Sequence, residues 1–140
     1  MHADSASFVV TAPSRSFGGR VPVEAEPDPL ASANAETRPA FVIDEARWLV
    51  GDCCRVAVVL QDERPLYPDD QLRGRFESES LSWEIYDIGP QDGSLIVAVA
   101  TLGDLSIAVS GQTLFKDVPS AQSTVEVVES LARSMGSRGE

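Results

Sequence analysis

The chain has 140 residues, with 22 Asp and Glu against 11 Lys and Arg, for a formal charge of −11. That balance argues against nucleic acid and membrane partners, because binding to phosphate or anionic lipid depends on clustered Lys and Arg. The single histidine, His2, supplies neither a set of metal-ligating imidazoles nor the usual base for neutral-pH chemistry, so no catalytic residue, metal or cofactor is expected.

Residues 1–40 are rich in Ser, Ala, Pro and Gly, and Pro13, Pro22, Pro27, Pro29 and Pro39 prevent a long helix. They are predicted to be an extended or disordered arm. Phe8, Val9, Val10, Phe17, Val21 and Val23 would serve it as apolar docking pegs. A single α+β domain is expected over residues 41–140. The first residues lack the basic start and apolar run of a secretory signal, and no stretch approaches about 18 consecutive apolar residues. A soluble, cytoplasmic protein is therefore expected. Ten of the eleven basic residues are Arg, the bias that a GC-rich bacterial or phage coding sequence leaves.

Val42, Ile43, Ala46, Leu49 and Val50 recur at helical spacing, with Asp44 placed to cap and Gly51 to take a left-handed position after the end. A helix of about two turns is predicted there. Cys53 and Cys54 are adjacent, and neighbours in a strand point to opposite faces. They are expected as unbridged small apolar residues entering a buried strand, with no CxxC redox spacing. Val56 to Leu60 form an unbroken, β-branched apolar run that fits such a strand.

After the polar loop QDERPLYPDD, Leu72 and Phe76 are apolar at even positions, whereas Leu81, Trp83 and Ile85 are apolar at odd ones. A bulge or turn between Glu77 and Ser80 would reconcile the two phases. Leu95 to Leu102 and Leu105 to Val109 flank Gly103 and Asp104, a pair suited to a two-residue type II′ hairpin turn. That turn sets Leu102 opposite Leu105, Ala100 opposite Ile107 and Ala98 opposite Val109 on one apolar face. A C-terminal helix is predicted to cover it with Val125, Val128, Leu131, Ala132 and Met135, capped by Ser120 or Ser123 and ended by Gly136. The fold class is α+β: an antiparallel β-sheet, arranged as a meander, covered by a C-terminal helix, with a short N-terminal helix and an extended N-terminal arm.

The charge is concentrated in residues 41–93, which hold 12 acids and 5 Arg. In a strand, Arg73, Arg75, Glu77 and Glu79 share one face at steps of about 6–7 Å, the pattern of a solvated edge strand. Lys116 could in principle activate Ser106 or Ser110, but no motif accompanies it and it reads as a surface lysine. Trp48 and Trp83 are expected in the core and Tyr67, between two prolines, on the surface. The partner-binding surface is predicted at Asp62, Glu63, Tyr67, Asp69, Asp70, Glu77 and Glu79. The expected function is that of a small acidic protein-binding module, such as an inhibitor, immunity, chaperone-like or adaptor protein, acting without catalysis on another protein with a basic surface. The alternatives are a structural subunit of a larger assembly such as a phage particle, its arm lacing neighbours, and a small ligand-binding α+β domain.

Overall fold

A computed structural model describes residues 5–13, 15–22, 25–27, 42–51, 53–62, 66–78, 81–88, 95–103, 105–113 and 118–138. The strands are β1 (Ser5–Thr11), β2 (Ser16–Pro22), β3 (Ala25–Pro27), β4 (Val42–Val50), β5 (Cys54–Gln61), β6 (Leu72–Ser78), β7 (Leu81–Asp87), β8 (Leu95–Leu102), β9 (Leu105–Thr113) and β10 (Gly136–Arg138). One helix, α1 (Val118–Ser134), precedes β10. A seven-stranded antiparallel sheet runs β3-β4-β5-β9-β8-β7-β6, and a three-stranded sheet runs β1-β2-β10. Strands β6 to β9 form the expected meander. The hairpin β4–β5 departs from it by pairing with β9.

The β8–β9 hairpin has the register predicted from its turn, with Leu102 opposite Leu105, Ala100 opposite Ile107 and Ala98 opposite Val109. Gly103 has φ of +61°, where a Cβ is disfavoured; Asp104 lies outside the described residues. Gly103→Ala should lower stability by about 1 kcal/mol, read as a fall in the thermal unfolding midpoint. No change would remove the turn as a determinant of the register.

Alternation sends Val56, Val58, Leu60, Leu81, Trp83, Ile85, Ala98, Ala100, Ile107 and Val109 to one face of the large sheet, where they are buried. Helix α1 lies over β8 and β9, and β1 lies over β4 and β5. The helix contributes Val128, Leu131 and Ala132, with Met135 just beyond it, the stripe predicted from 3.6-residue spacing. It begins at Val118, earlier than the expected serine caps, and Pro119 occupies the first turn, where its missing N–H costs nothing. Gly136 starts β10. Close approach is permitted by Gly111 on β9: a Cβ there would stand 2.5 Å from Val128 Cγ2 and 3.0 Å from Thr124 Cγ2. No helix among the described residues is long and apolar enough to cross a membrane.

Three expectations are corrected. The predicted helix at Val42–Val50 is strand β4. Ala46, Trp48 and Val50 stand opposite Val58, Val56 and Cys54 on the core face, and an irregularity between Val42 and Asp44 lets Ile43 join them against the core. That break in phase imitates helical spacing. The predicted arm also contains ordered strands. Ala12 and Arg15 exchange backbone hydrogen bonds of 2.7 and 3.3 Å to close the β1–β2 hairpin, and Val10, Phe17 and Val21 are buried in the main core. Phe8 packs edge-on against Trp48, with 4.8 Å between ring centroids, while Val9 faces outward. Val23 and residues 28–41 lie outside the described residues.

The third correction concerns Cys53 and Cys54, which are joined by a disulfide. Opposite projection holds only within a strand, and Cys53 sits in the turn that begins at Gly51, with φ of +53°, ahead of β5. Cys54 is buried and Cys53 partly so, with its Sγ 3.7 Å from Thr124 Oγ1 of α1.

Hydrogen bonds join the two sheets. Thr11 N–H donates to Asp44 Oδ2 at 2.8 Å, linking β1 to β4. Ser134 Oγ accepts from Arg20 N–H at 2.9 Å and donates to Leu131 O at 2.7 Å, so the end of α1 is held against β2.

Candidate binding surface

Strand β5 ends at Gln61, and the chain continues through exposed Asp62 to Leu66, Tyr67 and Pro68. Pro68 is extended, with φ of −61° and ψ of 143°, and accepts a 3.0 Å backbone hydrogen bond from Gln71 at the close of a single 3₁₀ turn, Asp69–Gln71. Strand β6 follows at the edge of the large sheet.

Tyr67 anchors this connection. Its ring lies 5.1 Å from that of Tyr86, and with Ile88 it packs on Val97, Val99 and Ala108, the apolar centre of the sheet face opposite α1. Tyr67 is therefore half-buried, whereas its neighbour Leu66 is 88% exposed. Asp69 and Asp70 are exposed three and four positions after Leu66, and Asp62 is exposed four positions before it. Composition flagged the aromatic ring, but the exposed large apolar side chain is Leu66. The two prolines around it, which block regular structure, were the available signal.

Along β6, alternation turns Arg75 and Glu77 to the face opposite α1. Arg75 Nε donates to Glu84 Oε2 at 3.0 Å, and the Tyr86 hydroxyl donates to Glu84 Oε1 at 2.9 Å. Arg73, at an irregularity between Leu72 and Gly74, reaches the buried Asp87 at 3.4 Å. Two acids of β7 thus engage the two arginines of β6. Glu77 is exposed and stands opposite Ser82. Arg75, Glu77, Ser82, Glu84 and Thr101 line an open cleft of about 660 Å³ that Phe76 and Trp83 also border. The Trp83 side chain is buried in the core, its ring stacked 6.2 Å from that of Phe76.

Of the predicted partner-binding residues, Asp62, Tyr67, Asp69 and Asp70 share the connection between β5 and β6. Glu77 lies seven positions beyond Asp70, roughly 20 Å along an extended strand. Asp62 follows the inner strand β5, and Glu77 lies on the edge strand β6. Glu63 and Glu79 lie outside the described residues, as does Lys116, while Ser106 is buried. Among the described residues no group of three or more His, Cys, Asp or Glu could hold a metal ion.

Neither a comparison with protein-family models nor one with curated proteins finds a match to this chain.

Proposed function

We propose that this chain is a protein-binding module that acts through the β5–β6 connection, without catalysis. The observation that carries the reading is Leu66, 88% exposed on a segment that also carries exposed Asp69 and Asp70 and is held to the sheet by Tyr67. A large exposed apolar side chain on a segment that also carries exposed carboxylates fits a partner with an apolar socket and a basic surface, as in an inhibitor, immunity, chaperone-like or adaptor protein. The apolar anchor governs dissociation and the charges govern encounter.

The test is retention of a basic protein from a native-host extract by the immobilised chain, followed by binding kinetics with that protein. Leu66→Asp should abolish retention. Charge reversal at both Asp69 and Asp70 should slow association by about tenfold at low ionic strength while leaving dissociation nearly unchanged. Retention unaltered by both variants would overturn the proposal.

The cleft beside β6 favours a second reading, a small-ligand site, since about 660 Å³ lies within the ordinary size range of such pockets. Arg75 and Glu84 would supply its polar contacts. A thermal-shift screen of small polar compounds, repeated on Thr101→Trp to fill the cleft, separates this reading from the first.

A further inference from the structure

The outer edge of β6 carries an alternation of charge that is complementary to itself. Strand β6 ends the order of the large sheet, and among the described residues no strand lies beyond it. Its sequence around Phe76 reads Arg73, Gly74, Arg75, Phe76, Glu77, Ser78, with bases before the phenylalanine and an acid after it. Arg75 and Glu77 project from the same face, both exposed. Charges on an edge strand ordinarily prevent pairing with other chains. Here they repel a partner strand that presents like charges, and an antiparallel copy of the same strand presents the opposite ones.

We propose that β6 pairs antiparallel with β6 of a second copy, about a two-fold axis through Phe76, joining two seven-stranded sheets into one. Arg75 then stands opposite the partner's Glu77, and Glu77 opposite the partner's Arg75. Gly74 meets Ser78, and Phe76 meets itself. A two-fold axis perpendicular to the sheet keeps the same face up in both copies, so partners on the shared edge must belong to the same side of the pleat. Register can therefore shift only in steps of two residues. One such shift places Arg75 against Arg75 and the other places Glu77 against Glu77, so only the register centred on Phe76 is free of like-charge contacts.

The surrounding residues prepare the edge for this contact. Arg75 Nε is held by Glu84 while the side chain remains 66% exposed, so the guanidinium is oriented along the face on which the partner's Glu77 would arrive. Glu77 faces the uncharged Ser82 across β7, and the copy supplies the cation that β7 does not. Phe76 is fixed between the Trp83 ring and the Arg133 guanidinium, which lies 4.2 Å from its centroid. The Ser78 hydroxyl donates to Arg133 O at 2.6 Å, holding the end of β6 to the helix. Gly74 leaves the edge open, since nothing stands within 4 Å of a Cβ built there. This contact is separate from the Leu66 loop, so Leu66→Asp leaves it intact.

Sedimentation of the full chain across micromolar to millimolar concentration should reveal a reversible dimer. Arg75→Glu sets acids against acids, and Glu77→Arg sets bases against bases; each should raise the dissociation constant roughly tenfold or more. Circular dichroism checks that both variants keep the fold. Mixing the two should form a heterodimer, because Glu at 75 then faces Arg at 77 and Arg at 75 faces Glu at 77. The double exchange in one chain should restore the homodimer. A wild-type chain that stays monomeric overturns the proposal. So does a dimer indifferent to both single exchanges, or a pair of monomeric variants that fail to associate when mixed.

Discussion

Gly111→Val should destabilise the protein by about 3 kcal/mol, at the upper end for an overpacked site, and lower the thermal midpoint by roughly 10 °C. A single Cβ at this position already stands 2.5 Å from Val128 Cγ2, and the two further methyl groups of valine face a helix held at Thr124 and at Ser134. Thr124 of α1 bonds to Thr113 at 2.8 Å, and Ser134 bonds to β2, so α1 cannot lift from β9 without breaking one of these contacts. The control is Gly74→Ala, where open space surrounds the new methyl group; it should leave stability unchanged or raise it slightly. A double-mutant cycle of Gly111→Ala with Val128→Ala identifies the contact, because trimming valine vacates the volume that the new methyl group needs. Strict additivity of the two changes would show that the helix had moved away from the glycine.

Val128→Asp should cost more than Val128→Thr, by several kcal/mol, and leave the chain largely unfolded at physiological temperature. Val128 is fully buried against the large sheet, and an unpaired carboxylate there gives up its hydration without a partner. Threonine keeps the shape and brings a hydroxyl that can bond to the preceding turn of the helix. Chemical denaturation of the two variants separates the effect of charge from that of shape. Equal midpoints for Val128→Asp and wild type would remove α1 as the cover of the sheet.

The parts of the fold legible in the sequence were those with local causes. Gly103 and the two apolar runs beside it set the β8–β9 register, and the stripe from Val125 to Met135 identified the buried face of α1. Strand β4 was obscured because the irregularity between Val42 and Asp44 changes the phase of its apolar residues halfway along. The β1–β2 hairpin was obscured by its composition. Its alternation, Phe8 with Val10 and Phe17 with Val21, is present, but the prolines and small residues around it resemble a linker, and its stabilising contacts come from residues 33 to 114 positions away. The candidate surface was legible in residue type and not in arrangement. Asp69 and Asp70 read as acidic from composition alone, but only the pairing of β6 with β7 shows that Glu84 and Asp87 engage Arg75 and Arg73.

Contact between β2 and the end of α1 also imposes an order of events during synthesis. Arg20 leaves the ribosome 114 positions before Ser134, whose hydroxyl it binds. At the usual rate of about 5–20 residues per second that interval is on the order of ten seconds. Throughout it, Phe17 and Val21 of β2 have been made while the helix that packs on β2 has not. The β8–β9 hairpin forms within microseconds of its own completion, so the central strands can assemble before β2 finds its cover. A nascent chain stalled after residue 113 would present those two side chains to the first apolar surface available.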